Sequence, residues 1–196
     1  MAEEELIKIS ASAMMNIVLH AFRFWSNEPT GKHEIVYGAL VGYIEGNTRH
    51  IKKIVPILHY KNNDYEMGDE FMKIIGTINK SELESGSMNE VLGWYRSSKR
   101  GIKFEARDIK NHIQFQDFNS KFIALILSPE LYLDPDEYGF SVFRLQGEQY
   151  YNMMTDYYRI PWEIQTVEDI SGIISNFKIY IENYFLDQPL ISEYQE

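Results

Sequence analysis

The chain reads as an α/β protein, a mixed sheet flanked by helices, and three observations predict it. Apolar runs of strand length alternate with longer stretches whose apolar residues recur every three or four positions. Gly, Pro, Asn and Asp cluster at the joins between them. The 196 residues are 44% hydrophobic, which suits one sizeable core with an appendage and leaves no room for an independent second domain.

In order, residues 6–9 predict a brief strand, and Ser10 or Ser12 can cap a helix running to about Trp25. Met14, Val18, Ala21, Phe22 and Trp25 form its expected buried stripe, and His20 beside it reads as a packed, hydrogen-bonded histidine. Asn27 to Gly31 make a loop, with His33 solvated next to it. Residues 35–44 and 51–58 read as two strands around Glu45-Gly46-Asn47-Thr48, a hairpin turn. His50 and His59 flank the second strand too far apart to chelate together. From Asn62 a mainly helical stretch reaches about Glu84, and its opening cluster Asp64, Glu66, Asp69 and Glu70 is an acidic helix start rather than a calcium loop.

Val91, Leu92, Trp94 and Tyr95 predict a buried strand. After it come a loop holding Lys99, Arg100, Gly101 and Lys103, then a helix over about 105–119 with Ile109, Ile113 and His112 or Phe115 inward. Residues 122–127 form a buried strand ended by Ser128-Pro129, and 140–145 another. Residues 146–165 are aromatic and irregular, and 166–186 predict a final amphipathic helix that either covers its own domain or pairs with a partner.

Composition removes several functions. Without cysteine there are no disulfides, thiol chemistry or thiolate zinc sites. A net charge of −10 disfavours general nucleic-acid binding. No apolar run approaches the roughly 18–20 residues of a membrane helix, and the acidic first residues are unlike a secretory signal. The expected location is the cytoplasm.

Residues i and i+2 leave a strand on the same face, so the end of the central strand, at positions 96 and 98, has the shape of a metal site. The residues there are Arg96 and Ser98, and neither suits zinc. Gly93-Trp94-Tyr95, with apolar residues before it and a loop and helix after it, resembles the core of the MPN (JAB/Mov34) domain, over about residues 5–145. The resemblance implies a cytidine-deaminase-like fold, with residues 146–196 forming a C-terminal aromatic segment and helix. Active members carry the JAMM zinc signature: a Glu on an early strand, His-x-His after Gly-Trp-Tyr, then Ser and Asp at the next helix. Carried over, these positions fall on Ile35, Arg96, Ser98, Glu105 and, with a loop one residue shorter, Asp108. Glu34 is one residue off the early position, which on a strand is the opposite face unless a bulge intervenes.

The resemblance therefore implies a non-catalytic MPN chain, like the Abraxas-type scaffolds, with no metal or cofactor. Its expected partner is another MPN chain or a second copy of itself, in an assembly linked to a ubiquitin-like protein. The alternative is a divergent metal-dependent hydrolase using Glu34 and Asp108. Residues 96–110 hold six basic side chains against Glu105 and Asp108, a local +4 in a chain of −10. Arg96 either pairs inward with Asp108 or joins Lys99, Arg100 and Lys103 in a patch for an acidic partner.

Overall fold

The computed structural model describes residues 5–25, 34–61, 65–99, 101–132, 134, 137–146 and 156–165. The expected final helix, the loop at 27–31, His33 and Asp64 lie outside them. The described elements are β1 (Leu6–Ser10), α1 (Ala11–Arg23), β2 (Ile35–Glu45), β3 (Thr48–Tyr60), α2 (Asp69–Glu84), β4 (Glu90–Ser97), α3 (Ala106–Phe118), β5 (Ile123–Leu127), α4 (Pro129–Tyr132), β6 (Phe140–Leu145), β7 (Tyr157–Ile160) and β8 (Trp162–Gln165). They form a mixed α/β fold around one eight-stranded sheet, in the order β7-β6-β5-β4-β2-β3-β1-β8.

Alternation along the central strands divides the core. Ile35, Tyr37, Ala39, Val41 and Trp94 face α2 and α3, where they meet Phe71, Ile75, Ile109 and Phe115. Val36, Leu40, Leu92 and Tyr95 face α1, where they meet Ala13, Met14, Ile17 and Ala21. Two glycines let the backbones approach this closely. A Cβ on Gly93 would lie 2.0 Å from the Ile123 carbonyl oxygen, and one on Gly42 would lie 1.8 Å from that of His50. Gly46, at φ 59°, makes the turn that pairs Glu45 with Thr48.

Four expectations need correcting. Of the expected stripe of α1, Met14 and Ala21 are buried and Val18 packs on the same cluster, but Ala13, Ile17 and His20 belong to it too, while Phe22 and Trp25 are only half-buried and pack on each other. The second helix starts at Asp69, because Gly68 caps it and the Met67 N–H donates to the Asn111 side chain at 3.1 Å, holding the chain extended just before. The short α4 follows Ser128, where no helix was expected.

The fourth concerns residues 157–165, which are strands rather than irregular chain. β7 pairs with β6, β8 pairs with β1, and only Pro161 separates them. The Pro161 carbonyl accepts the Ile7 N–H at 2.9 Å. One bent segment thus joins the two ends of the sheet. Glu5 clasps this closure, accepting from Arg49 at 2.8 Å, Arg144 at 2.5 Å and the Tyr158 hydroxyl at 2.9 Å. Burial opposes ionisation of Glu5, but the two arginines hold its carboxyl below the usual range.

Candidate functional site

The site grows from β4, whose side chains leave alternately to the two faces. Trp94 goes toward α3, and its indole Nε1 donates to His112 Nδ1 at 3.1 Å, which places the imidazole proton on Nε2. Tyr95 goes toward α1, with its hydroxyl 2.9 Å from His20 Nδ1. Gly38 makes room for that phenol, since a Cβ there would come within 2.4 Å of the ring.

Arg96 follows Trp94 and ends beneath the start of α3. Its Nε donates to Asp108 Oδ1 at 2.7 Å and its Nη2 to Oδ2 at 2.5 Å. Nη1 donates to the Ser97 carbonyl at 2.9 Å and Nη2 also to that of Lys103 at 3.2 Å. Both side chains of the pair are 0% exposed. Burial opposes the charge on Arg96, yet the hydrogen bonds and charge of Asp108 outweigh it and raise the guanidinium pKa. Asp108 Oδ2 accepts a further bond from the Glu105 N–H at 2.8 Å, and the Glu105 side chain accepts from the Asp108 N–H, which is a capping box. The carboxylate that ties β4 to α3 therefore also starts the helix.

The other positions singled out in the sequence fall around this pair. Ile35 is fully buried on the same face. Ser98 lies just past β4, buried, with its N–H donating to the Leu127 carbonyl at 2.7 Å. Tyr37 stands across from Arg96 on β2. Burial pushes its hydroxyl up to about 12 against the opposing pull of Arg96. Lys99 reaches the Lys61 carbonyl at 3.3 Å and Lys103 is exposed, while Arg100 lies outside the described residues. With Arg96 turned inward, any docking patch rests on the remaining basic residues.

Glu34 and Asp108 do not meet. The Glu34 carboxylate bonds to His59 Nδ1, and the His59 ring stacks on Phe24 at 4.0 Å, against the α1-side cluster. The irregularities in the β2–β3 register come later, at Tyr37/Gly38 and Val41/Gly42, so none turns Glu34 to the other face. Among the described residues, no three His, Asp or Glu side chains gather as a metal site. Sequence reasoning missed the Glu34–His59 and Trp94–His112 contacts, and neither has a local signature.

Burial pushes His20 down to about 3, helped by His59 and Arg23, and pushes His112 down to about 3, helped by Arg144. Both stay neutral in the folded protein, whereas the unfolded chain takes up their protons near pH 6.5. Stability is therefore complete above about pH 6.5 and falls as pH drops toward 3, by up to about 1.4 kcal/mol per unit for each histidine. Urea midpoints should decline clearly between pH 7.5 and 5, and His112→Gln, which keeps an acceptor for Trp94, should flatten the slope. Equal midpoints at the two pH values would show that the imidazoles do not stay neutral.

Sequence comparison bears on this geometry. The family model described as JAB1/Mov34/MPN/PAD-1 ubiquitin protease matches residues 3–121. COP9 signalosome complex subunit 5 of Neurospora crassa is 26% identical over 143 residues, covering 70% of this chain and 40% of that protein. The chain thus spans well under half of the curated relative it matches.

Proposed function

The chain belongs to the JAB1/Mov34/MPN/PAD-1 family, and from that premise we propose that it is a non-catalytic member, acting as a scaffold or dimerisation partner within a multiprotein assembly. Residues 5–145 are assigned to the MPN-like domain, and 146–196 to an appended segment whose strands complete the sheet. The relative is named as a COP9 signalosome subunit and the family model as a ubiquitin protease, which supports an assembly of that kind linked to a ubiquitin-like protein; the cytoplasm is the setting we assign. No helix among the described residues is long and apolar enough to cross a membrane.

One observation carries the reading. The zinc ion implied by the family's active members does not fit these side chains. At the ligand positions stand Arg96, which cannot give up its proton to bind a cation, and Asp108, whose two oxygens are both taken by that guanidinium. A zinc hydrolase needs three protein ligands and an open position. Here a fixed cation occupies the place of the first ligand and joins strand to helix directly.

Metal analysis of protein purified without chelator should find no stoichiometric zinc, and the protein should not cleave ubiquitin-type chains or peptides. Tight zinc together with a hydrolytic activity abolished by Asp108→Ala would overturn the reading in favour of the divergent hydrolase.

A further inference from the structure

β3 is longer than the strand that covers its outer edge. It pairs with β2 from Thr48 to Tyr60, whereas β1 pairs with it only from Thr48 to Ile51. At Ser10 the chain leaves the sheet for α1, and the Ser10 Oγ donates to the Lys52 carbonyl at 3.0 Å. α1 then lies against the face of the sheet, where Ile17 and Ala21 pack among Val36, Leu40 and Leu92 and His20 reaches Tyr95 on β4. From Ile54 to Tyr60, about 20 Å of strand, no hydrogen bond from another described element meets the outer side of the β3 backbone.

Pro56 marks which way this edge faces. It stands in register with Gly38 and has no N–H to give, and a proline within a sheet sits where its nitrogen points away from the neighbouring strand. By alternation Ile54 faces the same way as Pro56, as does the Lys52 carbonyl, so Ile54 presents both its N–H and its C=O outward.

We propose that this edge takes an extended, acidic segment of a partner protein, which adds to the sheet as a further strand in the lane that β1 vacates at Ser10. The inference does not depend on whether the chain is catalytic.

Charge selects the occupant. Residues 48–61 hold Arg49, Lys52, Lys53 and Lys61 and no Asp or Glu, in a chain whose net charge is −10. Lys52 and Lys61, at the two ends of the open stretch, are exposed. The Lys52 amine meets the Gln165 amide oxygen at 3.4 Å and lies over the Tyr43 ring, neither of which neutralises it. Lysine on an edge strand repels a second copy of the same edge, and this is one way that open strands are kept from pairing with themselves. The same lysines attract a strand that carries Asp or Glu at its ends and so fix its register. Between them Ile54, Val55 and Leu58 are half-buried, so the middle of the guest is apolar and β-branched, where it completes their cover.

The probe is the capped peptide Asp-Glu-Val-Thr-Val-Glu-Asp, with two controls: a copy N-methylated at alternate residues, which cannot complete a ladder, and a copy with lysine at the four acidic positions. In the full chain alone, the Ile54 amide should exchange quickly and the Val55 amide, which faces β2, slowly. Saturating acidic peptide should slow Ile54 at least about tenfold and leave Val55 unchanged. Both controls should bind at least about tenfold more weakly, as should the acidic peptide to Lys52→Glu. An Ile54 amide already protected in the protein alone would mean that the rest of the chain, or a second copy, covers the edge, and would overturn the proposal. Equal binding of the N-methylated peptide would overturn it by showing that no strand is added. No binding of the acidic peptide at about 1 mM would leave β3 a guarded edge without a guest and would overturn it too.

Discussion

Arg96→Ala is expected to lower the melting temperature by on the order of 10 °C. The pair it breaks is wholly buried, and the Asp108 carboxyl would lose both guanidinium donors and be left with the Glu105 N–H. Breaking such a pair typically costs roughly 3–5 kcal/mol, and in a domain of this size each kcal/mol shifts the midpoint by about 2–4 °C. The capping box of α3 shares the same carboxylate, so the helix start loosens with it. Arg96→Lys should rescue little, because an ammonium cannot present two parallel donors to both oxygens. The double variant Arg96→Met, Asp108→Leu should be far more stable than the sum of its parts, since it leaves no buried charge behind. Thermal melts of the four proteins decide the matter. A change within about 1 °C for Arg96→Ala would mean that the link does not hold strand and helix together.

Gly93→Ala should be comparably damaging for a different reason. The new methyl would sit 2.0 Å from the Ile123 carbonyl oxygen and 2.8 Å from its Cγ1, so β4 and β5 must part at the centre of the sheet. Overpacking usually costs about 1–3 kcal/mol, and backbone that must move puts this case at or above the top of that range. Gly86→Ala is the comparison. There φ is 72° with open space around, so only the left-handed conformation is strained, by about 1–2 kcal/mol. Soluble Gly93→Ala protein that melts no lower than Gly86→Ala would show that the two strands have slack.

The contrast between Arg96 and Glu34 shows how far the sequence could be read. Arg96 and Asp108 lie twelve residues apart on a strand, a loop and a helix that local patterns delimit, so their meeting was legible once the helix start was placed. The Tyr95–His20 bond joins residues 75 apart and depends on which strands are neighbours, which no local pattern states. The same holds for Glu34, whose partner His59 is delivered by the length of the hairpin. Strands rich in Val, Ile and Leu announced themselves, as at 123–127. Residues 157–165 did not, because Tyr157, Tyr158 and Arg159 are exposed and the closing strand lacks a continuous apolar face. Its place is fixed by open ladder positions on β6 and β1, a property of the sheet and not of the segment.

That closure bears on how the molecule is made. β1 leaves the ribosome before the other described strands, yet Ile7 must wait for Arg49 on one side and for Trp162 on the other. Until β7 and β8 emerge, β1 and β6 each present an unpaired ladder, and either can pair with the wrong chain. Native contacts between the two ends of a sequence form slowly, because the chain must first lose the entropy of the whole intervening loop. A nascent chain stalled after Leu145 and before Tyr157 would therefore hold most of its core and still be prone to aggregate, and addition of β7 and β8 converts that open intermediate into a sheet with both ends joined.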